Sequence, residues 1–263
     1  MARRRRKKRI TRSERRKAIY VLPNLCTTAS LLAGFYSIIS SMEGDFFNAS
    51  LAILASLVLD GLDGKVARAT NTVSRFGVEY DSLADVVAFG AAPAILAFHW
   101  ALKPVGRLGW LAAFLFVACG ALRLARFNVQ VESVGTKYFV GLPIPAAAAT
   151  IATSVLMMNA LGYPGPVNFW PVVIMVFVLS FLMVSNIHYL AFKELGVARL
   201  KSFNYLVAVL LFFTLIAIQP QVMGFMLMAA YVVLGPLGAH LMARRRAAHE
   251  AEEAAKHQEV TSA

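Results

Sequence analysis

The chain has 263 residues, of which 59% are hydrophobic and 15% are charged, and its mean hydropathy is +0.64. This composition excludes a soluble domain of this length and predicts a membrane protein that crosses the bilayer several times. The two cysteines support neither a disulfide framework nor a cysteine-based zinc site.

The net charge of +12 is concentrated at the N-terminus, where eleven of the 26 Lys and Arg fall in residues 1–18 beside the single acid Glu14. A basic run can bind nucleic acid, but next to a membrane helix it is typical of a cytoplasmic anchor on anionic lipid headgroups. We therefore expect anionic membrane lipids, and no nucleic acid, as its partner. A cleavable signal peptide is not expected, because the apolar stretch that follows is too long.

Eight apolar segments approach the length of about 20 residues that a helix needs to cross the bilayer. They are residues 20–41, 46–70, 81–102, 107–127, 142–162, 167–192, 202–218 and 221–243. Turn-forming Gly and Pro separate several of these segments. The predicted fold is an all-α integral membrane bundle of about eight transmembrane helices.

Basic residues predict the orientation of the bundle, because Lys and Arg concentrate in short cytoplasmic loops. With the N-terminal tail inside, the cytoplasmic connections carry Lys65, Arg68, Arg75, Arg123, Arg126, Lys137, Lys193, Arg199 and Lys201. The opposite connections carry only Lys103 and Arg107, and an even number of crossings returns the basic residues 244–246 to the cytoplasm. We therefore expect a multi-pass protein of the cell (inner) membrane with both ends in the cytoplasm.

Four aspartates, Asp60, Asp63, Asp81 and Asp85, lie within or beside the second and third apolar segments. An ionised carboxylate buried there costs several kcal/mol unless a cation or a hydrogen bond compensates it. Residues three or four apart share a helix face, so the spacing predicts two carboxylate pairs. A reversal between the two helices would bring all four carboxylates together near the cytoplasmic surface.

An oxygen-only cluster suits hard cations such as Mg²⁺ or Mn²⁺, whereas zinc or copper ordinarily recruits His or Cys. Four carboxylates around one ion would leave excess negative charge, so two divalent ions are expected, an arrangement that serves in-line phosphoryl displacement.

The residues between the aspartates are suited to a phosphate ligand. Gly64 and Ala67 permit close approach, Arg68 can pair with phosphate, and Ser74 and Gly77 offer a hydroxyl and an open backbone. The alternative is a structural cluster in which Lys65, Arg68 and Arg75 neutralise the acids, although three bases leave one of four acids unpaired.

The pattern Asp60-x-x-Asp63-Gly64-x-x-Ala67-Arg68, followed after eight residues by Gly77-x-x-x-Asp81-x-x-x-Asp85, resembles the signature of the CDP-alcohol phosphotransferases. The resemblance implies two divalent cations on these aspartates, a bound CDP-linked diphosphate, and a hydroxyl acceptor that displaces CMP. It also implies a core of six transmembrane helices, usually in a homodimer. The expected domains are a basic segment (1–19), the core (20–195), two further helices (196–246) and a polar cytoplasmic tail (247–263).

Individual roles also follow from the resemblance. It implies that Asp60, Asp63 and Asp81 ligate metal, and that Asp85 ligates metal and takes the acceptor's proton. Contacts to CDP or its diphosphate are implied for Asn24, Thr27, Asp60, Gly64, Ala67, Arg68, Ser74 and Gly77. The first two belong to Pro23-Asn24-Leu25-Cys26-Thr27, a short motif that is also typical of a helix start with Pro in its first turn.

Residues 73–93, 120–128, 141–145 and 182–187 resemble those family members that transfer the phosphatidyl group of CDP-diacylglycerol to L-serine. This implies that Arg123, Arg126 and Asn128 contact the acceptor or a phosphate, and an arginine pair can clamp the serine carboxylate. The alternative is that both arginines follow the positive-inside rule and contact lipid phosphates.

Two other functions remain open at this point. A sister enzyme that uses glycerol 3-phosphate or inositol phosphate would keep the aspartates but would need more cationic charge for its acceptor. An ion transporter also carries intramembrane acids, but it does not require Gly64, Ala67 and Arg68 at their spacing.

Overall fold

A computed structural model describes residues 12–70, 74–133, 139–167, 170–189 and 219–238. Side chains are described within 24–66, 74–129, 141–167, 170–187 and 219–238. Seven helices lie in the described residues: α1 (Arg12–Glu43), α2 (Phe46–Thr70), α3 (Arg75–Val105), α4 (Arg107–Ser133), α5 (Ile144–Ala160), α6 (Trp170–Val184) and α7 (Pro220–Gly238). A two-residue antiparallel pair joins β1 (Phe139–Val140) to β2 (His188–Tyr189).

Five of these helices, α1, α2, α3, α4 and α7, are long and apolar enough to cross a membrane. Helices α5 and α6 are apolar but shorter, with 17 and 15 residues. The prediction of a helical membrane bundle is confirmed. The count of eight and the six-helix core stay predictions, since the segment 202–218 lies outside the described residues.

Several predicted helix ends differ from the observed ones. Helix α1 begins at Arg12 rather than at residue 20, so Pro23 lies inside the helix and not in its first turn. Helix α3 begins at Arg75 rather than at residue 81, and α6 ends at Val184 rather than at residue 192. Hydropathy marks only the part of a helix that lipid can surround, and a helix continues where capping or packing stabilises it.

Small polar residues join α1 to α2. The Ser30 and Ser56 hydroxyls lie 2.7 Å apart, and the Ser56 hydroxyl also donates to the Ser30 carbonyl at 3.0 Å. Both side chains are buried. Lipid tails are as apolar as Leu, so helices in a membrane associate through close packing and hydrogen bonds between small residues.

Helix α3 lies at the centre of the bundle and contacts α1, α2, α4, α5 and α6. Its large side chains Phe89, Leu96 and Trp100 are almost completely buried. The helix widens to π geometry over Val86–Ala91, directly after Asp85. Gly34 of α1 packs against this part of α3: a Cβ there would lie 2.6 Å from the Ala88 Cα. The glycine therefore permits the close approach of α1, which carries Asn24 and Thr27, and α3, which carries Asp81 and Asp85.

The C-terminal ends of α4 and α6 and the N-terminal end of α5 lie on the side of the bundle where α3 begins. Gly141, with φ of 80°, donates its backbone N–H to the Ile187 carbonyl at 2.8 Å. A Cβ at this position would lie 2.5 Å from the Met183 carbonyl oxygen, so only glycine fits. This connection, together with the β1–β2 pair, holds the start of α5 against the end of α6.

Candidate active site

Ser74 sets the start of α3 and so the position of its two aspartates. Ser74 has extended backbone angles, and its hydroxyl accepts a hydrogen bond from the Gly77 N–H at 3.0 Å. This is an N-cap, which satisfies one of the unpaired N–H groups of a first helical turn. Asp81 therefore lies in the second turn of α3 rather than at its start.

Helices α2 and α3 bring three carboxylates together. Single carboxylate oxygens of Asp60, Asp63 and Asp81 all lie within 4.8 Å of one another. Asp63 is 5% exposed, and the other two are partly buried. Asp85 does not belong to this group of three, but its carboxyl group is in hydrogen-bonding contact with that of Asp60. The four acids predicted from the sequence thus form one cluster.

The position of Asp63 is set by donors from two helices. The Thr27 hydroxyl of α1, itself buried, donates to an Asp63 carboxylate oxygen at 2.8 Å. The Gly64 backbone N–H also donates to this carboxylate. Thr27 therefore contacts the acidic cluster directly, and the two donors together fix the orientation of the Asp63 carboxylate.

Three other residues predicted to bind CDP, Asn24, Ser74 and Gly77, lie together at the cap of α3. A Cβ added to Gly77 would lie 3.1 Å from the Ser74 hydroxyl and 3.4 Å from the Asn24 amide oxygen. Asn24, Ser74 and Gly77 are thus neighbours, with no side chain at Gly77 to separate them. The side chains of Ala67 and Arg68 lie outside the described residues.

Two of the three arginines of α4, Arg123 and Arg126, were predicted to contact the acceptor or a phosphate, and they have different surroundings. Arg123 is buried, its Nε has no hydrogen-bond partner within the described part of the chain, and it is close enough to Asp85 to interact electrostatically. Arg126 instead donates to the Asn186 amide oxygen at 2.7 Å. Asn128 donates to the Ser82 hydroxyl at 2.9 Å and so ties α4 to α3.

Sequence reasoning missed several residues that support the site. Tyr80 and Thr28 place their hydroxyls 3.0 Å apart, and the Thr28 hydroxyl donates to the Asn24 carbonyl at 2.7 Å. Ser82 was also missed, although it lies next to Asp81. The Thr28–Tyr80 and Ser82–Asn128 contacts join residues far apart in the chain, so local spacing contains no signal that would reveal them.

A hard divalent cation fits the donor set of this cluster. The donors are carboxylate oxygens from Asp60, Asp63 and Asp81, and no His or Cys belongs to the group within the described residues. Oxygen ligands alone are typical of magnesium and manganese sites. The cluster is also acidic and partly buried, so it favours a bound cation on electrostatic grounds.

Comparison with known protein families decides between an enzyme and a transporter. Residues 20–184 match the model of the CDP-alcohol phosphatidyltransferase family. The chain belongs to this family. The matched segment contains all the aspartates of the cluster, Thr27, Arg123 and Arg126. A CDP-alcohol phosphatidyltransferase is an enzyme of phospholipid biosynthesis, and the transporter alternative finds no support.

Individual relatives give the same result. The chain is 41% identical to a protein named CDP-diacylglycerol–serine O-phosphatidyltransferase from Helicobacter pylori (strain ATCC 700392 / 26695), over 82% of this chain and 90% of that protein. A protein of the same name from Bacillus subtilis (strain 168) is 35% identical, over 69% of this chain and 96% of that protein. An archaetidylserine synthase from Methanothermobacter thermautotrophicus (strain ATCC 29096 / DSM 1053 / JCM 10044 / NBRC 100330 / Delta H) is 39% identical, over 54% and 69%. Family membership and the apolar helices together make the chain an integral membrane transferase.

Proposed function

We propose that the chain transfers the phosphatidyl group of CDP-diacylglycerol to L-serine and releases CMP. The observation that carries the proposal is the cluster of Asp60, Asp63 and Asp81 within 4.8 Å, with Asp85 against it, inside a family-matched core. The relatives' names support serine as the acceptor. Serine occurs in the names of both the phosphatidyl and the archaetidyl enzymes, although these names differ in the lipid.

In this proposal the four aspartates hold two divalent cations, Mg²⁺ or Mn²⁺. Asp60, Asp63 and Asp81 provide the group of three carboxylates, and Asp85 adds a fourth next to Asp60. When bound, such ions neutralise the diphosphate and stabilise the negative charge that develops on the phosphoryl oxygens.

Asp85 is the proposed general base. The serine hydroxyl oxygen forms a bond to the phosphorus that carries diacylglycerol, and the bond from that phosphorus to the CMP oxygen breaks. The serine proton passes to the Asp85 carboxylate. Asp85 is suited to this role because its carboxyl group contacts that of Asp60 and it interacts electrostatically with Arg123 of α4.

Arg123 is the proposed contact for the serine carboxylate. It is a buried guanidinium whose Nε has no hydrogen-bond partner among the described residues, and it interacts electrostatically with the proposed base. A planar guanidinium binds a carboxylate through two parallel hydrogen bonds. Arg126 and Asn128 already donate to Asn186 and Ser82, so we propose that they fix the acceptor side of the site and offer their remaining donors to a phosphate.

The donor lipid would lie on the other side of the cluster. We propose that Asn24, Ser74 and Gly77 contact the cytidine end, and that Gly64, Ala67 and Arg68 contact the diphosphate. Thr27 would act on this side through Asp63. A site at the cytoplasmic membrane surface would leave the acyl chains in lipid while serine and CMP exchange with the cytosol.

The proposal is tested with purified protein in detergent, supplied with CDP-diacylglycerol, Mn²⁺ or Mg²⁺ and one acceptor at a time. We expect CMP release with L-serine, phosphatidylserine by mass spectrometry, and loss of both when EDTA is added. Glycerol 3-phosphate and inositol phosphate are the comparison acceptors. Release of CMP with either of these acceptors and not with serine would contradict serine as the acceptor. It would still agree with the phosphatidyl-transfer reaction of the family.

A further inference from the structure

Asn186 lies in the segment that follows α6, just beyond the part of the chain that matches the family. Hydrogen bonds hold the residues on both sides of it. The Ser185 hydroxyl donates to the Leu182 carbonyl at 2.8 Å, and the Ile187 carbonyl accepts from the Gly141 N–H at 2.8 Å. The fold therefore fixes the backbone of Asn186, whose side chain is exposed.

The side chain of Asn186 contacts α4 through Arg126. The Arg126 Nη2 donates to the Asn186 amide oxygen at 2.7 Å. Two residues further along α4, Asn128 donates to the Ser82 hydroxyl at 2.9 Å, and Ser82 is next to Asp81 of the acidic cluster. The Arg126 guanidinium is therefore tied to the end of α6, within one helical turn of the contact between α4 and the helix that carries Asp81.

An amide oxygen can orient a guanidinium without neutralising it. A carboxylate at the same place would pair with the positive charge, whereas an amide accepts the hydrogen bond and stays neutral. Among the described residues no carboxylate pairs with Arg126. The five N–H donors of arginine lie in one rigid plane, so one held nitrogen sets the direction of the remaining donors. Arg126 thus has a fixed direction and keeps its charge.

We propose that Asn186 is a positioning residue that holds the Arg126 guanidinium against the end of α6 and leaves its charge for an oxyanion of a substrate. The inference rests on the proposed function, in which Arg126 offers its remaining donors to a phosphate. The expected anion is a phosphate of CDP-diacylglycerol, and the carboxylate of serine has the same chemistry. Asn186 thereby adds a residue from outside the family-matched segment to the active site.

The test compares Asn186→Asp with Asn186→Ala. Aspartate keeps the hydrogen bond but neutralises Arg126, whereas alanine removes the bond and keeps the charge. We expect the apparent KM for CDP-diacylglycerol to rise about tenfold in Asn186→Asp and about threefold in Asn186→Ala, as for a charged and a neutral hydrogen bond. A merely structural tie gives the opposite order, because aspartate preserves it. That order, or an unchanged KM for both substrates in Asn186→Asp, would overturn the proposal.

Asn159→Asp is the matched control. It makes the same change of charge at the C-terminal end of α5, whereas the segment of Asn186 contacts the residues just before the start of α5. We expect both KM values of this variant to equal those of the wild type. A rise in KM for serine in Asn186→Asp, in place of KM for CDP-diacylglycerol, would assign Arg126 to the serine carboxylate and still support the role of Asn186.

A double-mutant cycle asks whether Asn186 acts through Arg126. We expect the effect of Asn186→Asp on KM to shrink in an Arg126→Gln background, because the charge to be neutralised is gone. An equal effect in the wild-type and Arg126→Gln backgrounds would show direct repulsion of the substrate by the new carboxylate and overturn the proposed link.

Failure of this inference can be separated from failure of the proposed function. Serine-dependent CMP release by the wild-type protein tests the function alone. If the wild type uses a different acceptor, the same variants are measured for KM of that acceptor and of CDP-diacylglycerol. A larger rise in either KM in Asn186→Asp than in Asn186→Ala supports the role of Asn186 although the acceptor was wrong, and any other order overturns it.

Discussion

Asp60, Asp63 and Asp81 place like charges within 4.8 Å of one another. At this separation each ionised pair repels by roughly 3 to 4 kcal/mol for an effective dielectric constant of about 20. The fold keeps the three carboxylates together through packing and through the hydrogen-bond donors to Asp63. A bound cation would relieve the repulsion between them, and this relief would favour its binding. This is the energetic basis of the proposed metal site.

Asp85→Asn tests the proposed base at the residue scale. The amide keeps the size of the side chain but cannot accept the serine proton, so we expect turnover to fall by about 10²- to 10⁴-fold. Nucleotide binding should remain measurable, because Asp60, Asp63 and Asp81 are intact. CMP release and CDP binding are measured on the same preparation.

Glu43→Gln is the control for this substitution, since Glu43 is an exposed acid at the far end of α1. It should leave turnover unchanged. Wild-type turnover in Asp85→Asn would exclude Asp85 as the base.

Thr27→Val tests the hydroxyl that holds Asp63. Valine has nearly the same volume but no donor, so the 2.8 Å hydrogen bond is lost. Partners of metal ligands typically contribute about 10- to 100-fold to metal affinity, so we expect the Mn²⁺ concentration for half-maximal activity to rise by about 10-fold. Thr27→Ser keeps the hydroxyl and should restore most of the affinity.

Thr150→Val is the matched control, because among the described residues the Thr150 hydroxyl donates only to the Ala146 carbonyl of its own helix, at 2.8 Å. An unchanged Mn²⁺ requirement in Thr27→Val would show that this hydrogen bond does not support the metal site.

At the scale of elements, the contact between α1 and α3 positions the site. Gly34 faces the π-helical part of α3 at Ala88, one turn beyond Asp85. The same α1 carries Asn24 and Thr27, and α3 carries Asp81 and Asp85. A displacement of α1 from α3 would therefore separate the two halves of the proposed CDP site.

Gly34→Ala tests this contact. The new methyl carbon would lie 2.6 Å from the Ala88 Cα and 2.8 Å from its Cβ, so backbone must move. We expect a loss of stability of about 1 to 3 kcal/mol, as for overpacked cores, seen as a lower Tm in detergent. Gly61→Ala is the control, since no atom of the described residues lies within 4 Å of its Cβ position and alanine favours a helix. A Tm that falls equally in both variants would contradict the packing role of Gly34.

Hydropathy predicted where most helices lie but not where they end. The start of α3 is set by the Ser74 cap, which a hydropathy pattern does not record. Helix α1 continues to Arg12 through a basic stretch that composition assigns to a tail. The end of a helix depends on individual hydrogen bonds and on its neighbours in the fold. The position of a membrane segment depends on the summed transfer free energy of consecutive residues, which can be read from the local sequence.

At the scale of the whole molecule, basic residues predict that both chain ends lie in the cytoplasm. The test uses a variant in which Cys26 and Cys119, the two native cysteines, are replaced. Single cysteines at Ala2, at Ala263 and at Gly165, which lies between α5 and α6, are treated with a membrane-impermeant maleimide on intact spheroplasts. We expect labelling of Gly165→Cys alone, and labelling at all three positions after permeabilisation. Labelling of either end in intact spheroplasts would contradict the predicted orientation.

Short-range sequence features were sufficient to predict the acidic cluster. The spacing of the aspartates places each pair on one helix face, and oxygen donors favour hard cations, so the expectation of a metal site follows from periodicity and ligand type. The packing of the helices was needed to find the donor on Asp63, the contact between Asp60 and Asp85, and the different surroundings of Arg123 and Arg126. These neighbours lie 25 to 60 residues apart in the chain, and they meet because small residues such as Gly34 let helices approach, a long-range effect that no local pattern encodes.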